Sequence, residues 1–344
     1  MTRYGFDEFL WRLRSLDKQL GYKAAPDTAL HADHQAEVES AAQTEVPSEP
    51  ATWKDYFALT KPGIIFSNLI TAFGGFWIAS AGNFTIDWFF LMIFTLVGTA
   101  LVMASGTVLN NYLDRDMDAK MERTKKRATV SGKIKPSVVL GYGIILGIAG
   151  IALLFVAVNP LSSLLGLTGL FLYVWVYTAI FKRTSVWSTF AGSFSGAVPP
   201  VIGYCAVSGK LDMTALILFL IMFLWQPPHF WALGIRRKEE YRAAGYPLLP
   251  VVKGNYVTKV SMMRYIVLLV PVSQLLFFYS GDAHVGPLYF FAATIMGLIW
   301  AFMGYKGFKT KDDDKWAKGM FIYSVNYLTL LFLIMVVDST IMNL

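Results

Sequence analysis

Residues 88–109 read WFFLMIFTLVGTALVMASGTVL, and residues 110–127 that follow read NNYLDRDMDAKMERTKKR. The first stretch holds no Asp, Glu, Lys or Arg, and at about 1.5 Å per residue a helix of that length crosses the roughly 30 Å of a bilayer's hydrocarbon core. The second mixes acids and bases densely, so the join marks where a membrane helix leaves lipid for water. Further charge-free apolar stretches lie near 64–82, 138–158, 161–181, 186–207, 214–233, 265–281, 287–304 and 320–337. The count predicts an all-α, polytopic bundle of nine transmembrane helices. The last three stretches are shorter, and neighbours such as Arg264 are expected to extend those helices by snorkelling. No strict two-residue alternation appears, which excludes a strand barrel.

Composition agrees. Of 344 residues, 55% are hydrophobic and 15% charged, with a mean hydropathy of +0.49, against about 25% charged in an ordinary soluble domain. A single cysteine, Cys205, leaves no intramolecular disulfide and no thiolate metal cluster. The net charge is +7. In a soluble protein that surplus would raise nucleic acid as a partner, but here it marks a membrane face. With nine spans, 7 Lys and Arg fall in the amino-terminal region, 8 in the 110–137 connection, 2 in the 182–185 turn, 7 in 234–264 and 5 in 305–319. The opposite face and carboxyl tail hold only Lys210, so 29 of 30 share one side. That imbalance predicts a cytoplasmic amino terminus, an outer carboxyl terminus and no nucleic-acid partner.

Residues 1–52 form a separate cytosolic extension, and residues 53–344 the membrane domain. Phe6, Phe9, Leu10 and Leu13 recur at helical spacing within 6–20. That pattern suits an interfacial amphipathic helix or a short helix on the cytosolic surface. Residues 24–50 read as a disordered tether, with His31 and His34 as solvated tail residues. The amino end lacks a continuous apolar core and a small-residue cleavage site, so no signal peptide is expected.

The chemistry sits in the cytosolic connections. Asn111, Asp114 and Asp118 fall within about 60° of one another on a helix at 100° per residue. Like charges four residues apart destabilise a helix unless neutralised. A hard cation does this, and Mg²⁺ commonly shares one or two carboxylates with substrate phosphates. The basic run Arg123, Lys125, Lys126 and Arg127 follows at once and suits phosphate oxygens. A solvated helix end is the plainer reading of the acids.

In FLWQPPHFWALGIRRKEEYRAAGYPLLPVVKG (223–254), Pro227-Pro228 is expected to break a helix where it lines a cavity. If the helix resumes, His229, Leu233, Arg236 and Glu240 share a face. An ionisable residue at membrane depth is costly and usually functional, although His229 could simply bond a neighbouring helix. A further turn carries Tyr177, Thr178, Lys182 and Arg183, followed by SVWSTFAGSFSGAVPPVIGY (185–204). Its small residues permit close helix packing, and Pro199-Pro200 again opens backbone within the membrane.

In these segments the chain resembles the UbiA-type intramembrane prenyltransferases, and among them the haem-farnesylating branch. NNYLDRDMDAKMERTKKR (110–127) is similar to the first aspartate-rich motif with its basic tail. YTAIFKRTS with GAVPPVIGY is similar to the middle signature, and WQPPHFWALGIRRKEEYRAAGYPLLPVVKG to the second cytosolic signature. The resemblance spans 53–340. There are two departures. Glu240 is followed four residues on by Ala244, where most of the superfamily has a second aspartate. Ser188 stands where many members have asparagine.

The resemblance implies a UbiA-type fold in a bacterial inner membrane, with an active site on the cytoplasmic side. It implies transfer of farnesyl from farnesyl diphosphate to a vinyl group of haem B, with water addition and release of diphosphate. Haem B is then substrate, Mg²⁺ the cofactor, and a haem A synthase or terminal-oxidase assembly the downstream partner. By carry-over, Asn111, Asp114 and Asp118 bind Mg²⁺ with Glu240 contributing. Arg123, Lys126, Arg127, Lys182, Arg183 and Arg236 neutralise diphosphate, and His229 orients the porphyrin or accepts a proton. A quinone-precursor prenyltransferase of the same fold is the nearest rival. A secondary transporter is opposed by acids gathered at one surface rather than the midplane. A non-catalytic haem binder would need axial ligands, and only His229 and His284 lie in or near the spans.

Overall fold

The computed structural model describes residues 50–81, 85–279 and 285–344. The helix and tether expected within 1–50, together with His31, His34 and His284, lie outside the described residues, residue 50 excepted. Among the described residues there are no strands, and nine helices are long and apolar enough to cross a membrane. They are α1 (Pro62–Ser80), α2 (Ile86–Leu113), α3 (Pro136–Ala157), α4 (Pro160–Thr184) and α5 (Ser188–Ser208). They continue as α6 (Met213–Arg236), α7 (Gly254–Tyr279), α8 (Pro287–Lys306) and α9 (Asp313–Met342).

Local chemistry starts these helices where they start. Proline occupies the first turn of α1, α3, α4 and α8, where its missing N–H costs nothing. Asn159 caps α4 by accepting from the Ser162 amide at 2.7 Å, and Asp212 caps α6 by accepting from Ala215 at 3.1 Å.

Chain neighbours pack against one another around the bundle, and α9 returns to pack on α1 and α6. Helices α5 and α6 are each 67% buried, against 22–39% for the other seven, so these two form the interior. The rest present apolar side chains outward, such as Ile145, Ile148 and Phe155 on α3 and Phe291, Ile295 and Phe302 on α8. Such surface is stable against lipid tails and not against water. The α1–α5 crossing is backbone on backbone. A Cβ on Gly203 would stand 1.8 Å from the Ala72 carbonyl oxygen, and one on Gly75 would stand 2.1 Å from that of Pro200.

Three expectations change. The extension expected of α7 and α9 from neighbours such as Arg264 goes further than one residue, to Gly254 before the stretch at 265 and to Asp313 before that at 320. Lys259, in the added turns of α7, is buried but donates to the Gly307 carbonyl at 2.7 Å and pairs with Asp313, so its charge does not end the helix. Third, α6 runs unbroken through Pro227 and Pro228. Both prolines are buried, and neighbouring helices hold the segment despite two lost backbone bonds. The break falls instead in α5, at Ala197, where Pro199 opens the second half.

Candidate active site

Helix α2 ends at Leu113, and Asp114 leaves helical geometry before a short helix, Arg115–Asp118. Both carboxylates are buried, Asp114 at 1% and Asp118 at 5% exposure, and each holds a cation. Asp114 Oδ2 is bonded to Lys182 Nζ and accepts from Asn110 Nδ2 at 2.7 Å. Asp118 Oδ2 is bonded to Arg127, whose Nη1 also donates to Asn111 Oδ1 at 3.1 Å. Asn111 Nδ2 in turn donates to the Leu59 carbonyl at 2.9 Å. Exposed Asp116 takes both Arg183 guanidinium nitrogens, at 2.9 and 2.7 Å. Burial tends to raise the Asp116 carboxyl, but the bonds and charge of Arg183 prevail and hold it below its ordinary value.

Helix α4 brings Lys182 to this cluster through an unusual turn. Leu172–Phe181 is π-helical, and Thr178 Oγ1 donates to the Tyr173 carbonyl five residues back at 2.8 Å. Such stretches rotate the side chains that follow them and cluster at functional sites. Here Tyr173 and Tyr177 stack at 5.6 Å, and Lys182 Nζ lies 5.8 Å from the Tyr177 ring and 5.2 Å from that of Tyr246. Burial raises the Tyr246 phenol and keeps it neutral beside the lysine.

Lys61 joins the cluster from the start of α1. It caps α1 in the left-handed region, φ 52°, a strained setting for a lysine. Its Nζ donates to Asn110 Oδ1 at 2.7 Å. Burial pushes its ammonium down to about 7, and the charges of Arg127 and Lys182 push the same way.

These groups stand at one end of a cavity of about 510 Å³, within the range of ligand pockets. Lys61, Asn110, Asp118, Arg123, Arg127 and Lys182 line its polar part, and Val102, Met103, Leu170, Ile202, Met222 and Phe230 its apolar part. His229 also lines it. Its Nδ1 lies 2.7 Å from Ser324 Oγ, and Trp225 and Phe321 stack on the ring at 4.6 and 4.7 Å.

The expected site residues therefore separate. Asp118, Arg123, Arg127, Lys182 and His229 line the cavity, with Asp114 directly behind Lys182. Lys126 is exposed and Arg236 lies 3.8 Å from Asp314; neither lines the cavity, nor do Asn111 and Arg183. Glu240 Oε1 accepts from Arg237 at 2.8 Å, and Glu240 is absent from the lining. Among the described residues no three His, Cys, Asp or Glu side chains gather as a metal-holding group. Asp114 Oδ1 is buried without a hydrogen bond, 3.6 Å from Arg183 Nη2. With Asp118 it suits a hard cation that also takes phosphate oxygens.

Residues missed in the sequence are Lys61, Asn110 and Tyr173, while Tyr177 stands in the turn that the sequence singles out. Asn110 precedes Asp114 by four residues, a spacing that could have found it. The other two depend on long-range packing.

The UbiA prenyltransferase family matches residues 68–325. A relative from Bacillus subtilis (strain 168), named protoheme IX farnesyltransferase 1, is 60% identical over 301 residues, covering 86% of this chain and 94% of that protein. A solved digeranylgeranylglyceryl phosphate synthase superposes with a TM-score of 0.68 at 20% identity, over 83% of this chain and 98% of that one. A UbiA homologue from Archaeoglobus fulgidus, solved with DMAPP and Mg²⁺, gives a TM-score of 0.63 at 17% identity, over 82% and 99%. Both carry the same helical fold.

Proposed function

The chain belongs to the UbiA prenyltransferase family, and from that premise we propose that it transfers a farnesyl group from farnesyl diphosphate to protohaem IX, with haem O and diphosphate as products. The observation that carries the reading is a single cavity with the buried Asp118 carboxylate and several cations at one end, the Asp114–Lys182 pair behind them, and apolar walls and a histidine beyond. The 60% identical relative bears the name of this reaction.

The diphosphate sits at the polar end, where Arg123, Arg127 and Lys182 neutralise its charge. Asp114 and Asp118 would hold Mg²⁺ there, and Asp114 Oδ1, which makes no hydrogen bond and stands 3.6 Å from Arg183 Nη2, is the oxygen that supports this choice. Bound with the diphosphate, Mg²⁺ supplies Lewis-acid stabilisation of charge on the leaving oxygens. Lys182 and Arg127 are already aimed at anionic oxygens, so their positive charge is in place before the C–O bond breaks. As that bond breaks, the farnesyl carbon lies among Val102, Leu170 and Ile202, away from bulk water. It bonds to the terminal vinyl carbon of the porphyrin, and water then captures the cation left on the inner vinyl carbon with loss of a proton. Asn110 positions Asp114, and Lys61 adds a cation whose charge strengthens as the diphosphate arrives.

The protein is an integral multi-pass membrane protein. We place it in the bacterial inner membrane with this end of the bundle cytoplasmic. Arg183 joins the 110–137 connection to the 182–185 turn through Asp116, Lys182 lies 5.2 Å from the Tyr246 ring in the 234–264 connection, and Arg236 there approaches Asp314, so the basic connections share one end. The positive-inside rule puts that end in the cytoplasm. Haem O then passes to a terminal oxidase or to haem A synthesis.

The test incubates membranes containing the protein with haem B, farnesyl diphosphate and Mg²⁺ and seeks haem O by mass spectrometry. Product that depends on all three supports the reading. Absence of haem O together with prenylation of a hydroxybenzoate refutes it in favour of a quinone-precursor enzyme.

A further inference from the structure

Ser324 lies on α9, and its hydroxyl oxygen is 2.6 Å from the Phe321 carbonyl, to which it donates. A hydroxyl has one proton to give. With that proton committed, Ser324 Oγ can meet His229 Nδ1, 2.7 Å away, only as an acceptor. Nδ1 therefore carries the hydrogen, and the lone pair of the neutral imidazole is on Nε2. The backbone of Ser324 is itself fixed, because its carbonyl accepts from Trp225 Nε1 at 2.8 Å. Trp225 and Phe321 also stack on the imidazole at interplanar angles of 21° and 28°, which holds its plane. Nε2 has no hydrogen-bond partner among the described residues, and His229 lines the cavity.

An imidazole whose Nδ1–H is anchored and whose Nε2 is free has the form that binds a metal, the anchor setting ring orientation and tautomer. The metal in the proposed substrate is the porphyrin iron. His229 enters the cavity from α6, whereas the cavity's cations Lys61, Arg123, Arg127 and Lys182 come from other elements. An iron held there leaves the basic end of the cavity to the diphosphate. We propose that Ser324 fixes the Nδ1–H tautomer of His229, and that His229 Nε2 is the axial ligand of the porphyrin iron in the substrate complex. One axial bond fixes the iron and the plane of the ring, and the cavity wall then selects which vinyl group faces the farnesyl chain. The inference rests on the haem-farnesylation reading.

The experiment titrates the purified full-length protein in nanodiscs with ferric protohaem IX, and separately with metal-free protoporphyrin IX, reading optical absorption and electron paramagnetic resonance. Wild type and Ser324→Thr give a histidine-ligated iron spectrum, and His229→Ala loses it. Ser324→Ala weakens haem binding about tenfold, the scale of lost anchors to metal-bound histidines. All four bind protoporphyrin IX alike, which also shows that the variants are folded. The proposal is overturned if His229→Ala gives the wild-type haem spectrum, or if Ser324→Ala matches wild type in spectrum and affinity. It is equally overturned if the variants lose protoporphyrin IX as severely as haem, since the residues would then pack against the ring without touching iron. Haem O formation, measured on the same wild-type sample, reads the proposed reaction separately from the spectrum.

Discussion

Lys182 Nζ, at the end of α4, is bonded to Asp114 Oδ2, just beyond the end of α2, and both side chains are largely buried. Removing one partner of such a pair leaves an uncompensated charge, which costs about 3–5 kcal/mol. Asp114→Asn and Lys182→Met are each expected to lower unfolding stability in detergent by about 3 kcal/mol. The double variant recovers most of that loss. Turnover, by contrast, stays abolished in all three while membrane insertion is intact, because the reaction needs the charges themselves. Normal activity of Asp114→Asn would remove that residue from the site.

Lys61 supplies a pH dependence whose sign can be worked out. Burial lowers its ammonium to about 7 in the folded protein, from an ordinary 10.5. Between those values the unfolded chain binds more protons than the folded one, so this lysine's contribution to stability rises with pH. Below about 7 it is charged in both states, and its destabilising effect is complete. Thermal unfolding of Lys61→Met should therefore exceed wild type most at pH 6, with the gap closing from pH 7 towards 10.5. The same lysine should take up a proton when inorganic diphosphate binds near pH 8, which calorimetry in two buffers of different ionisation enthalpy would detect. A pH-independent gap would refute the assignment.

The membrane architecture is legible in the sequence because lipid excludes charge, so apolar runs stand out without knowledge of their neighbours. That same rule misplaces the start of α7. Lys259 lies inside the helix, neutralised by Asp313 and the Gly307 carbonyl, partners 54 and 48 residues away. The aspartates and His229 are legible for the complementary reason that ionisable groups beside lipid are costly. Asn110 is obscured by its neighbour, since a uniform 100° per residue places both Asn110 and Asn111 within reach of Asp114. The π-helical turn of α4 leaves no periodic trace, because its Thr178–Tyr173 bond is set by packing. Ser324 lies 95 residues from His229, beyond any local pattern.

Gly75 and Gly203 fix the α1–α5 crossing, where the atoms that a Cβ would strike are backbone oxygens at 2.1 and 1.8 Å. Backbone on both sides cannot rotate away, so Gly203→Ala must push the helices apart. Overpacking of this kind costs about 1–3 kcal/mol. Because α5 also carries Thr189, Gly192 and Ile202 of the cavity wall, the variant should lose activity along with stability. Gly141→Ala provides the contrast, since nothing lies within 4 Å of its Cβ position in α3. It should gain up to about 1 kcal/mol from helix propensity and leave turnover unchanged. Equal behaviour of the two variants in thermal unfolding would show that the crossing can open.

Asp338, on α9, is buried, and its Oδ2 accepts from the Tyr289 amide at 3.2 Å, in the first turn of α8. Three circumstances make a carboxylate stable here although apolar helices surround it. The first turn of a helix has amides without backbone partners. Its positive end attracts negative charge. Gly286 precedes the helix, and its Cα hydrogen leaves room for the carboxylate, because a Cβ there would meet Asp338 Oδ1 at 2.9 Å. The cap acts between two helices, at the end of the bundle opposite the reaction. Asp338→Ala is therefore expected to lower stability by about 1–2 kcal/mol, the value of a helix cap. Asp338→Asn, which keeps an acceptor oxygen, should lose less. Turnover at low temperature should remain near wild type in both, with the Asp338→Ala enzyme inactivating sooner on heating. Loss of haem O formation before any loss of folded protein would contradict a capping role and would tie the far end of the bundle to the chemistry.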